Sequence, residues 1–319
     1  MDWKKTQYEL KQELMSFGAA QYKTAINGFD KAKNDINKEL KTFYSDYADE
    51  NGIVNMVDVK KIKLTAKERQ RFNNDVKEFI SVCSGFSLLN MSLYISELKS
   101  LLNGNNITRL QALQVRIKQA ITEAYNKYQN AMTDTLTRVY GNGYKDQIEA
   151  IKSSKVKDFT ALPFNQSQIQ DMLQKPWTND GLNYSDRIKG YLAAAIGLLT
   201  VTQLTHAFVG KRTYSEIEKD TDENVDKGQN VRSGAFIAET EAAISIIAMK
   251  AFNKGGFEKY DYFCYPDACE DCQDLADQCQ AQGGFLLSDY DEGETAPPLH
   301  PSCKCYTAPH DEDNYEQED

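Results

Sequence analysis

No stretch of this chain is apolar for long enough to read as a bilayer-spanning segment. Such a helix needs about 18 or more apolar residues, and the longest candidate, Tyr191 to Val201, supplies only two or three turns. It reads as a buried helix, and no membrane is expected as a partner. The N-terminus, Met1-Asp2-Trp3-Lys4-Lys5, lacks the apolar centre of a secretory leader, so the cysteines are expected to meet a reducing compartment, where disulfides are rare. Catalytic signatures are missing too. There is no Gly-x-Ser-x-Gly, no phosphate-cradling glycine loop and no His-Glu-x-x-His. On these grounds the chain is expected not to be an enzyme.

Basic residues are scarce in the second half. Residues 1–170 carry 25 basic and 19 acidic side chains, whereas residues 171–319 carry 12 and 28, within a net charge of −10. The acidic half should repel nucleic acid, because neutralising phosphates takes Lys and Arg. The first half tolerates DNA nearby without any sign of sequence-specific binding.

What is present is a concentrated cysteine cluster. Six of the seven cysteines, and one of the three histidines, fall between Cys264 and Cys305. Cys269 and Cys272 form a Cys-x-x-Cys pair, and His300, Cys303 and Cys305 follow about thirty residues later as His-x-x-Cys-x-Cys. A Cys-x-x-Cys brings two sulfurs to one turn, and a second group downstream can complete a tetrahedral site that closes a knuckle lacking its own core. The preferred ligand set is Cys269, Cys272, Cys303 and Cys305, with His300 as substitute for either of the last two. Structural zinc is the expected metal; reduced free thiols and disulfides are the alternatives. Cys264 and Cys279 read as bystanders.

Periodicity makes the chain mainly α. Residues 3–47 read as one long helix, with Ile26, Phe29, Ile36, Leu40, Phe43 and Tyr47 on a seam of threes, fours and sevens. Asn51-Gly52 breaks it. Thr65-x-x-Glu68 and Thr108-x-x-Gln111 are capping boxes that open helices over 66–83 and from 108 onward, the latter ending at Gly141-Asn-Gly143. A further helix is expected over 88–102, and Cys83 should be a buried small hydrophobe. Ser153 to Gln174 reads as linker. Ser185 or Asp186 should cap a helix through Phe208, with His206 near its end as an ordinary helical histidine. A short helix follows Thr213, then a charged loop over 220–230, then a helix over 233–252. Phe257–Phe263 and Phe285–Leu287 read as paired strands.

The expected architecture is therefore a long-helical N-terminal region with a small α+β C-terminal domain built round a zinc-knuckle-like Cys/His cluster. Its boundaries are a helical arm or bundle over 1–150 for partner docking, a linker over 151–175, a second domain over 176–308 and a disordered acidic tail over 309–319.

The C-terminal motifs also carry a resemblance. Cys-x-x-Cys, then Gly283-Gly284-Phe285, then Pro297-Pro298-Leu299-His300-Pro301-x-Cys303-x-Cys305 is similar to the C-terminal signature of tailed-bacteriophage minor head proteins, the Mu F-like or phage head morphogenesis family. Trp177-x-x-x-Gly181-x-x-Tyr184-Ser185-x-Arg187-Ile188 resembles the entry to that domain, Gly210-Lys211-Arg212-Thr213-Tyr214 its Gly-x-Ser turn, and Thr240-Glu241 its Arg-Thr-Glu helix, with Glu239 standing where the family has Arg. The resemblance covers roughly residues 171–308. It implies a minor capsid protein held inside the head at the portal vertex, made in the host cytoplasm, with the portal protein as partner and contacts to major capsid or scaffolding protein, acting in head assembly and DNA packaging or ejection.

Two enzymatic readings compete. Glu239-Thr240-Glu241 matches the Glu-x-Glu of arginine-directed ADP-ribosyltransferases, but residues two apart on a helix point about 200° apart. A catalytic zinc would keep an open position, which a cysteine-saturated knuckle does not. A toxin-associated protein would be expected to carry an extra module after Cys305, where a short segment and the acidic tail follow.

Overall fold

The computed structural model describes residues 2–84, 92–104, 106–154, 160–178, 180–300 and 303–311. The chain is mainly helical, with a small antiparallel sheet and a Cys/His cluster near the C-terminus. Helices α1 (Trp3–Tyr47), α2 (Met56–Val59), α3 (Ala66–Ser84), α4 (Ser92–Asn103) and α5 (Arg109–Arg138) come first. They are followed by α6 (Tyr144–Ser153), α7 (Gln166–Gln174), α8 (Tyr184–Gly197), α9 (Gln203–Val209) and α10 (Tyr214–Gly255). Strand β1 (Lys259–Phe263), helix α11 (Glu270–Ala281), and strands β2 (Phe285–Leu286) and β3 (Tyr306–Pro309) complete it. The expectations for the side chain of Cys83 and for most of the acidic tail lie outside the described residues.

Two compact units emerge, and neither is continuous in sequence. One gathers residues 25–129 and 185–230; the other gathers residues 1–24, 130–184 and 231–319. The sequence reading divides the chain at 151–175 instead. That stretch carries no long apolar seam and looks like a linker, yet α7 lies in it, with Asn165 and Gln168 as a reciprocal capping box and Ile169 and Leu173 buried. The first 24 residues belong with the C-terminal half because Trp3 and Lys11 find their partners there.

In the first unit the seams behave as their spacing requires. Ile36, Leu40 and Phe43 on α1 and Leu110, Leu113, Ile117, Ile121, Ala124 and Tyr128 on α5 are buried. Each large apolar side chain fully buried stabilises by about 1.5–3 kcal/mol. Both capping boxes form: Thr65 and Glu68 exchange hydrogen bonds, as do Thr108 and Gln111. Arg69 donates to the carbonyls of Leu101 and Leu102 at the end of α4. Arg116 pairs with Glu39 at 2.7 Å.

Three helix expectations are corrected. The charged run over 220–230 is not a loop: α10 continues from Tyr214 through it to Gly255. Glu223 pairs with Lys219 and Lys227 one turn to either side, and Thr221 and Val225 are buried, so a helical face persists despite Gly228, a substitution that costs about 1 kcal/mol relative to Ala. Gly141-Asn142-Gly143 does not end α5 but forms a π-helical turn leading into α6. A Cβ on Gly143 would sit 2.9 Å from Leu14 and Ile247, so this glycine permits close helix approach. The helix α8, a π-turn over 198–202 and α9 together span Tyr184–Val209, which by length and composition could cross a membrane. It is not a fully buried helix, because Leu199, Leu204 and Phe208 are covered while Val201 and Val209 are exposed.

In the second unit β1 lies between β2 and β3, antiparallel to both. The β1–β2 pair was expected; β3, in register Phe263↔Tyr306 through Tyr260↔Pro309, and helix α11 were not. Tyr260, Tyr262 and Phe285 are buried, as are Ile247 and Phe252 of α10, and the Tyr260 and Phe285 rings meet edge-on at 5.9 Å.

Candidate metal centre

Four backbone pieces bring the cluster together. β1 ends at Phe263 and the chain turns through Tyr265–Ala268. Cys269 then stands at the N-cap of α11 and Cys272 in its first turn. The acidic first turn, Glu270 and Asp271, suits the positive end of the helix dipole. The chain returns through Pro297–Leu299, a Pro-rich stretch that cannot continue a helix, to His300, and Cys303 and Cys305 lead directly into β3. Pairing of β3 with β1 therefore fixes where Cys305 sits.

The five expected donors form two trios that share Cys272: Cys269, Cys272 and His300, and Cys272, Cys303 and Cys305, with the ligand atoms of each trio within 4.8 Å of one another. His300 Nε2 lies 3.1 Å from Cys269 Sγ and 3.3 Å from Cys272 Sγ. Cys272 and Cys303 sulfurs are 3.9 Å apart. Sulfurs bound tetrahedrally at about 2.3 Å would be about 3.8 Å apart, so the spacing fits a metal with little adjustment. These groups can hold a metal ion. Soft thiolates with one imidazole suit zinc chemistry far better than hard cations, which prefer oxygen. His300, which the sequence reading ranks as a substitute, stands beside the Cys-x-x-Cys pair. Cys264 and Cys279 join neither trio; Cys279 is buried, its sulfur 3.3 Å from the Tyr262 amide nitrogen.

The metal-free cysteines differ sharply. A hydrogen bond from the Cys305 thiol, with backbone help, pulls Cys303 down to about 5 against its burial. The same hydrogen bond and burial raise Cys305. Burial pushes Cys272 up to about 12, whereas the Cys272 amide lowers Cys269 at the exposed rim. Buried thiols beside a ready thiolate are groups that a divalent cation, by replacing protons, would satisfy. Burial on β1 holds the Tyr262 hydroxyl well above the usual phenol range, and the nearby Cys303 and Cys305 raise it further.

Lys11 was not anticipated. Its Nζ donates to Glu241 Oε1 at 2.8 Å and to the Cys305 carbonyl at 2.6 Å, with the side chain only 5% exposed. Burial pushes Glu241 up to about 7, against the attraction of Lys11. Nothing in local sequence marks Lys11, because a polar position on a long helix ordinarily faces water. Glu239 takes a different partner, accepting from Trp177 Nε1 at 2.8 Å. His206 is exposed on α9 and joins neither donor trio. No family model, curated protein or solved structure matches the chain.

Proposed function

We propose that this is an assembly protein of the phage minor-head type, a low-copy capsid component at the portal vertex, with structural zinc closing its C-terminal knuckle. The observation that carries the reading is the meeting of motif residues: His300 and Cys303 of the Pro-Pro-Leu-His-Pro-x-Cys-x-Cys run lie against Cys269 and Cys272, the residues on which the family resemblance rests. In that reading Cys272 and Cys303 with two of Cys269, His300 and Cys305 hold the ion, which supplies a cross-link in place of a core.

Two further observations support assembly over catalysis. Glu239 and Glu241 are each buried and each engaged by a different partner, Trp177 and Lys11, so they do not converge on one substrate. The cavity bordered by Lys11, Glu241, Ser245 and Cys305 measures about 10 Å³, room for roughly one water. Because residues 2–24 are engaged within the C-terminal unit, portal contact falls to the helices of residues 25–129. The test is quantitative mass spectrometry of purified virions and DNA-free proheads from the source lysate. A few copies per particle in fixed ratio to the portal subunit is the expected result. Absence from both particles would overturn the reading and direct attention to NAD turnover and metal-dependent hydrolysis.

A further inference from the structure

Helix α1 begins against the metal centre. Trp3, 1% exposed, packs edge-on to Phe257 at 5.7 Å. Tyr8 meets Tyr265 and Tyr306 at 5.6 and 6.0 Å, and Gln12 donates to the Tyr265 hydroxyl. These tyrosines flank the cluster, Tyr265 four residues before Cys269 and Tyr306 directly after Cys305. Between these contacts Lys11 reaches the Cys305 carbonyl and Glu241. The first turns of α1 therefore rest on a seat whose two sides, the 264–269 turn and the 303–306 segment, are joined across the cysteine cluster, the sheet and an exposed Lys304–Asp267 ion pair of 2.6 Å.

We infer that Lys11 is a positioning residue of the metal centre, and that metal occupancy and docking of residues 3–14 are thermodynamically coupled. This rests on the metal reading above. A centre of three thiolates and one imidazole around a divalent ion carries net charge −1, and one of four thiolates −2. In a buried setting that charge calls for a cation nearby, and Lys11, whose charge is shared with Glu241, is the ammonium that hydrogen-bonds the Cys305 carbonyl. Partners that orient ligands in this way commonly change metal affinity 10–100-fold when removed. Linkage then requires the reverse effect: whatever Lys11 adds to metal binding, bound metal adds to the docking of α1's first turns. Loss of the ion frees the flanking tyrosines and loosens that segment, while residues 109–129, in the other unit, are unaffected.

The experiment uses the full chain, loaded with zinc and then stripped with chelator, and followed by amide hydrogen exchange. Stripping is expected to raise exchange of peptides from residues 3–14 at least tenfold and to leave peptides from 109–129 unchanged. Competition with a chromophoric chelator should show at least tenfold weaker zinc binding by Lys11→Met, with Lys11→Arg, which keeps the cation, between the two. If the wild-type protein binds zinc but stripping leaves residues 3–14 as protected as before, or Lys11→Met binds zinc as the wild type does, the coupling is wrong and the metal site stands. If the wild-type protein binds no zinc, the metal reading itself fails and the coupling falls with it.

Discussion

Removing Cys272 should uncouple the two halves of the knuckle. It is the one residue in both donor trios, and its sulfur lies between His300 and Cys303. The contacts it anchors join the start of α11 to a segment 28–31 residues downstream, and a three-stranded sheet and the exposed Lys304–Asp267 ion pair also hold these ends together. If free zinc stands about 1,000-fold above its dissociation constant, mass action stabilises the folded state by about 4 kcal/mol. For a cooperative body of 150–250 residues, 1 kcal/mol moves Tm by about 2–4 °C. Stripping the metal should therefore lower Tm by roughly 8–16 °C. Cys272→Ala should start near the stripped value and respond to neither zinc nor chelator. Cys264→Ala, altering a cysteine outside both trios, should keep the full zinc-dependent shift. Differential scanning calorimetry of the three proteins, with zinc content measured on the same samples, decides the matter. A zinc-loaded wild type whose Tm does not move on stripping refutes the reasoning, because the site would then hold metal without holding the fold.

Other perturbations test the surrounding structure. Gln7 and Gln147 exchange two buried amide hydrogen bonds of 2.7 and 2.8 Å; Gln7→Leu strands the Gln147 amide and should cost about 1–3 kcal/mol in urea unfolding, with Gln147→Leu added to it recovering part of the loss. Glu241, raised to about 7 by burial, binds its proton more tightly folded than unfolded. Stability of the stripped protein should thus be greatest below about pH 4.5 on this group's account and decline as pH rises through about 7. Glu241→Gln should flatten that slope, and an unchanged pH profile would contradict the burial argument. At Gly284, φ is +84° and an added Cβ would lie 2.9 Å from His310 Nδ1 and 3.2 Å from Asp261 Oδ1. Gly284→Ala should therefore disturb the Asp261–His310 contact of 2.6 Å and lower stability by about 1–3 kcal/mol, measurable by chemical denaturation.

Local patterns in the chain determine much of this protein. Seams of threes and fours on α1 and α5 bury most of the residues that their spacing selects, with Ile26 and Tyr47 half-buried, because a helix turning once per 3.6 residues must present such a stripe to one side. The two Thr-led capping boxes form where they were read, since a hydroxyl and a carboxylate or amide three residues apart satisfy helix amides without help from elsewhere. The cysteine spacing likewise picks out five donors that come together. Tertiary structure decides what spacing cannot carry. Gly141 and Gly143 look like a stop, yet the helix runs on through them as a π-turn, and Gly143 allows that turn to approach Leu14 and Ile247 closely. The run over 220–230 looks like a loop until Thr221 and Val225 find a surface to cover them. β3 has too few residues to announce itself and exists because β1 offers an open edge. Lys11 is the clearest case. A lone lysine on a helix is a solvated charge until a carboxylate and a carbonyl from residues more than two hundred positions away replace its water, and that exchange is a property of packing alone.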